Sequence, residues 1–139
     1  MRNILCAGFL LITGCAAETD PWVGTYHGTA FHDWRGCVSG AHGSLGPDDF
    51  GIVLARDESG ELVWSSLCAF PVIELGEGAA RLAPFECDST LPDGTPVHVR
   101  VVNGALERNG DELALRAALD SVTPDACITS VVDFVGYRE

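Results

Sequence analysis

The sequence contains no lysine: all 8 basic side chains are arginine, set against 20 acidic ones, for a formal charge of −12. Binding nucleic acid without sequence preference needs a dense cationic face that displaces counterions from phosphates, so this balance excludes DNA and RNA as partners. Long apolar runs are missing too. The stretch Ile4 to Ile12 has nine residues, whereas a helix crossing a bilayer of about 30 Å needs roughly 20. No C-x-x-C spacing occurs, which argues against structural zinc, and there is neither a phosphate-cradling glycine loop nor a dinucleotide fingerprint. What is present is 47% hydrophobic residues, 20% charged and 16 glycines, the balance of a folded domain rather than of a disordered or collagen-like chain.

Met1-Arg2-Asn3 places one positive charge ahead of the apolar stretch, which has the length of a signal-peptide core. It ends at Ile12-Thr13-Gly14-Cys15: an aliphatic residue, two small ones, then cysteine. This segment resembles the lipobox of bacterial lipoproteins. The resemblance implies a signal peptide over 1–14, a lipidated Cys15 bearing diacylglycerol and an acylated amine, and a polar tether over 15–21. The protein would then be held in a membrane by its acyl chains, each contributing about 0.8 kcal/mol per buried methylene. Ala16 in place of an aspartate resembles the signal for transfer to the outer membrane. The competing reading is an ordinary signal peptide cut after Ala16 or Ala17; either way the mature chain lies outside the cytoplasm.

Apart from Cys6 and Cys15, the cysteines are Cys37, Cys68, Cys87 and Cys127. In an oxidising compartment they imply two disulfides with three connectivities open. A two-residue turn at Glu77-Gly78 would set Leu75 opposite Ala80, Glu74 opposite Arg81 and Ile73 opposite Leu82. Continued, that register places Phe70 against Phe85 and Cys68 against Cys87, within disulfide reach. The sequence therefore predicts Cys68–Cys87 and, by remainder, Cys37–Cys127.

One domain is expected over 22–139, and its dominant period is two. Phe50, Ile52 and Leu54 alternate with small residues, and the pattern resumes beyond Asp57-Glu58-Ser59-Gly60 with Leu62 and Trp64, as in a hairpin. Val97, Val99 and Val101 alternate with His98 and Arg100. Asn109-Gly110 marks a second hairpin, setting Leu106 opposite Leu113 and Gly104 opposite Leu115. Asn103-Gly104 reads as a bulge that switches the apolar face. Ile128, Ser130, Val132 and Phe134 share one side of a last strand. The rival for Asp111 to Leu119, a short alanine- and leucine-rich helix, follows the hairpin signal too closely. About eight antiparallel strands result, an all-β domain closed as a small barrel or stacked as a sandwich. Its opening, Trp22-Val23-Gly24-Thr25-Tyr26-His27-Gly28, resembles the first strand of lipocalin-like barrels, in which a tryptophan plugs one end and glycines let the strand bend. The layout is similar also to small β-rich bacterial lipoproteins.

Chemistry is sparse. His27, His32, His42 and His98 invite a metal reading, above all His32-Asp33 with His42 and Asp48-Asp49 nearby, but His27 and His32 fall on opposite faces of a straight strand, so no metal set is expected. Asp48-Asp49 and Asp57-Glu58 lack the alternating oxygen ligands of a calcium loop. Gly43-Ser44-Leu45-Gly46 lacks the G-x-S-x-G elbow, and Asp93-Gly94-Thr95 reads as a turn before Pro96. No enzyme activity, cofactor or metal is expected. His32 to Asp49, eighteen residues, reads as a long loop of the kind that carries function, and it holds Trp34 and Arg35, residue types favoured at binding hot spots. Three functional readings follow, with a non-enzymatic small-ligand-binding module the leading one. In the first, Trp22, Tyr26 and Trp64 line a cavity for a small apolar ligand. In the second, the 32–49 loop is presented to an envelope protein, as in a protease-inhibitor-like module. A purely structural envelope lipoprotein is the third reading.

Overall fold

A computed structural model of the chain describes residues 20–139; the signal segment, Cys15 and the first part of the tether lie outside the described residues. The described chain is antiparallel β throughout, with no helix: β1 (Gly24–Gly36), β2 (His42–Arg56), β3 (Leu62–Ser65), β4 (Ala69–Gly76), β5 (Ala79–Leu82), β6 (Glu86–Thr90), β7 (Pro96–Asn109), β8 (Glu112–Val122) and β9 (Cys127–Arg138). They form one sheet in the order β5-β4-β3-β2-β1-β9-β8-β7-β6, and β5 also pairs with β7. The added pairing closes the sheet on itself, so the domain is a meander barrel and not a sandwich. The ninth strand arises from an interruption. β5 and β6 pair with β7 in one continuous register, from Ala79↔Glu107 to Thr90↔Pro96, and the break between them contains Pro84, which has no N–H for the ladder.

Alternation fills the interior as expected. Tyr26, Ile52, Leu54, Trp64, Phe70, Leu106, Leu113, Leu115 and Phe134 are almost fully enclosed in one cluster, and no polar or charged residue is buried among the described residues. The apolar face of β7 switches at a bulge on Val102, one residue before the expected Asn103-Gly104.

Both predicted hairpin registers need correction. The Glu77-Gly78 turn forms, with Gly78 in the left-handed region, but Leu75 bulges out and the pairs below it become Glu74↔Ala80, Ile73↔Arg81 and Val72↔Leu82. The reason is parity: a one-residue slip flips every side chain. The bulge turns Val72 inward with Leu82, and leaves Leu75 60% exposed. At the second hairpin the turn residues are Gly110-Asp111, so Leu106 faces Leu115 and Gly104 faces Ala117. A shift of two preserves the faces, so alternation alone does not distinguish these registers.

Both disulfides are present, Cys37–Cys127 with Cα atoms 5.3 Å apart and Cys68–Cys87 at 6.5 Å. Cys68–Cys87 does not come from the strand register proposed for it. Cys68 lies in the turn between β3 and β4, while Cys87 is in β6 opposite Val99.

The largest correction concerns 32–49, which is not a loop. β1 runs on to Gly36 and β2 begins at His42, paired as Arg35↔His42, Trp34↔Gly43, Asp33↔Ser44 and His32↔Leu45. This hairpin arm continues past β3, which reaches β2 only from Val53 to Arg56.

Candidate functional site

The barrel has two dissimilar ends. The chain enters at the floor, where Trp22 is buried just ahead of β1. The Tyr26 hydroxyl donates to the Trp22 carbonyl at 2.9 Å. Arg108 lies over the Trp22 ring and Arg138 over the Tyr26 ring, each 5.5 Å from the centroid, a geometry in which the guanidinium is attracted by the ring quadrupole. Burial raises the Tyr26 phenol above its ordinary range, although Arg138 and Arg108 oppose the shift. Arg138 donates to the Pro21 carbonyl, and Arg56 bridges Asp20 at 2.9 Å and Glu74 at 2.5 Å. Trp64 packs on Phe70 with ring centroids 5.2 Å apart. Trp22, Tyr26 and Trp64 therefore do meet in one apolar cluster, but as packing: all three are buried, and Trp22 edges the cleft at the floor.

At the opposite end stands the arm. Trp34 and Arg35 are consecutive on β1, so they face opposite sides of the sheet. Trp34 lies on the concave side, half-buried over Gly43, where a Cβ would come within 2.8 Å of its indole nitrogen. With Val38, Pro124 and Ile128 it lines a cleft of about 540 Å³. Arg35 lies on the convex side at the end of a polar row that crosses five strands in register: Arg35↔Thr129, Thr129↔Asp120, Asp120↔Arg100 and Arg100↔Glu86. The Thr129 hydroxyl donates to Asp120 at 2.6 Å, and Arg100 pairs with the other Asp120 oxygen. Cys37–Cys127 lines a second cleft, of about 560 Å³, together with Arg35, Arg100 and Asp120 of this row.

The row was not visible in the sequence, because its members lie on separate strands and only the register aligns them. Its central carboxyl is held below the usual carboxylate range, first by the Thr129 hydroxyl and then by Arg100. A carboxyl whose folded pKa is depressed stabilises the fold fully above the ordinary value near pH 4, and that contribution is lost as pH falls through the depressed value. Thr129→Val is expected to move the Asp120 titration upward, as followed by carboxyl carbon NMR, and to cost about 1 kcal/mol at neutral pH with the difference vanishing in strong acid. An unmoved titration would remove the hydroxyl as its cause.

The histidines are dispersed. His27 is 3.1 Å from Glu139, His32 stacks edge-on to Phe50 at 5.6 Å, His42 contacts the Gly40 carbonyl, and His98 bonds Asp88 at 2.9 Å. Among the described residues no three metal-ligating side chains converge.

No family model and no curated protein matches this chain. Among solved structures it is similar to a protein from Bacteroides fragilis described as a "putative outer membrane protein", with a TM-score of 0.50 and 13% identity. The alignment covers 84% of this chain but 50% of that one, so the chain spans half of its neighbour's length. At this identity the likeness is one of fold.

Proposed function

We propose that this protein is an exported, lipid-anchored envelope module that works by presenting its β1–β2 arm to another protein. One observation carries the reading. The aromatic residues that would line a ligand cavity are used up in a filled interior, while Trp34 and Arg35 stand where the β1–β2 pair, still joined to β9, extends past β3 to the open rim of the barrel.

Three things support the compartment: the lipobox-like Ile12-Thr13-Gly14-Cys15, two disulfides of the kind that persist in oxidising surroundings, and a structural neighbour described by its envelope location. Geometry supports the orientation. The tether from Cys15 to Asp20 extends to about 17 Å at most, which keeps the floor beside the membrane. β1, with 13 residues, climbs roughly 40 Å along its own path and carries Trp34 to the far end.

The test is site-specific photocrosslinking in cells. A photoreactive amino acid at position 34 should give a discrete adduct with one envelope protein. The same group at Glu58, by the floor, should give none. Arg35→Ala should weaken the adduct about 30-fold, as for a hot spot worth 2 kcal/mol, and Cys15→Ser should release the protein from membranes. A small molecule retained in native mass spectrometry, with no adduct at position 34, would replace this reading by the ligand-binding one.

A further inference from the structure

The upper half of β2 has a neighbour on one side only. β1 pairs with it from Gly24↔Leu54 to Arg35↔His42, whereas β3 takes only Val53 to Arg56. Among the described residues, no backbone hydrogen bond outside the strand ladders reaches 42–52. One edge of that segment therefore presents free N–H and C=O groups, a template for a further strand. The facing rim differs: β6 is covered by the turn after β3, with Ser89 donating to the Leu67 carbonyl at 2.8 Å and Cys87 bonded to Cys68.

The edge carries its own selectivity. Pairing places Gly43, Leu45, Asp48 and Phe50 on the concave side, opposite Trp34, His32, Ala30 and Gly28, and Ser44 and Asp49 on the convex side. Leu45 is 61% exposed. Asp48 and Asp49 are exposed and have no ion-pair partner among the described residues. A second copy is a poor occupant, because edge-to-edge pairing would bring together the acidic segments of a chain with charge −12.

We infer that the free edge of β2 is completed by an extended segment of a partner protein in which two consecutive basic residues are flanked by apolar ones. Main-chain bonds give such strand addition its affinity and the alternate side chains its choice of partner. Apolar residues would lie beside Leu45 and Phe50, and a consecutive pair of lysines or arginines beside Asp48 on the concave side and Asp49 on the convex side, where opposite charges across strands attract. This inference rests on the arm being the working surface.

The probe is a short peptide with two adjacent lysines flanked by valines, titrated into the oxidised mature protein and followed by amide hydrogen exchange. New protection confined to 42–52 is expected. N-methylation of alternate peptide amides should weaken binding at least about tenfold, since it blocks the ladder and keeps the charge. Glutamate in place of lysine should abolish binding, and the doubly substituted Asp48→Lys, Asp49→Lys protein should bind about tenfold more weakly. Both aspartates are exposed, so an unchanged thermal midpoint will show that this variant folds. Equal binding of the methylated peptide, protection elsewhere, no binding at all, or dimerisation through this edge overturns the inference. Any of these beside an intact adduct at position 34 leaves the proposed function standing. Strand pairing without that adduct rejects the function alone.

Discussion

Gly28→Ala is expected to destabilise the barrel by about 3 kcal/mol or more, an overpacking that neighbouring side chains cannot relieve. A Cβ at Gly28 would lie 2.0 Å from the Val135 carbonyl oxygen and 2.4 Å from the Gly136 Cα. These are backbone atoms, so the adjustment must come from parting β1 and β9. Gly28 and Gly136 are directly opposed in register, and a Cβ on Gly136 would meet the His27 carbonyl oxygen at 2.6 Å and the Phe134 ring at 2.3 Å. The glycine pair thus sets how closely the two strands approach. For a domain of this size 3 kcal/mol corresponds to roughly 12 °C in thermal midpoint. Gly76→Ala is the control: nothing lies within 4 Å of its added Cβ and its φ is ordinary, so its effect should stay within about 0.5 kcal/mol. If both variants melt alike by circular dichroism, the close approach of β1 and β9 is not what limits stability.

The opening segment through Gly28 already indicated a bending strand, but not that its partner would be another glycine more than a hundred positions away. The same division recurs through the molecule. Where one face of a strand is buried, the period of two is strong: Val97, Val99 and Val101, then Ile52 and Leu54, and finally Val132 and Phe134 were all readable as inward residues. Where both faces meet solvent, the period disappears. His42 to Asp49 is almost wholly exposed on either side, and its glycines, serine, proline and aspartates have the composition of a loop. Strand pairing with β1 overrides that local preference. Register was the second gap, since moving a pairing by two keeps all faces correct and leaves no trace in alternation. The polar row from Arg35 to Glu86 and the free edge of β2 both depend on register, so neither site could be read before the strands were aligned.

Replacing Cys37 and Cys127 by serine is expected to cost about 4–5 kcal/mol, against about 3 kcal/mol for the pair Cys68 and Cys87. In the entropy model the difference comes from loop length, 90 residues against 19. Native structure enters the two cases differently. Cys37 and Cys127 are opposed as a continuation of the β1/β9 ladder, and the Cys37 N–H donates to the Cys127 carbonyl at 3.0 Å, so the strands stay aligned without the bond. Cys68 and Cys87 pack against the core and span the gap between β4 and β6, where no ladder forms among the described residues. Losing that bond also frees packed surface, which narrows the difference. Denaturant midpoints of the two double variants decide between the terms. If the Cys37–Cys127 variant is the less stable and keeps its barrel amides protected, restriction of the unfolded chain dominates. If the other variant is less stable, the seam does. Hydrogen exchange at Gly36 and Ile128 adds a local reading. Faster exchange there with an unchanged core would show that the bond also stiffens the arm, and strand addition to β2 should then weaken when Cys37–Cys127 is reduced.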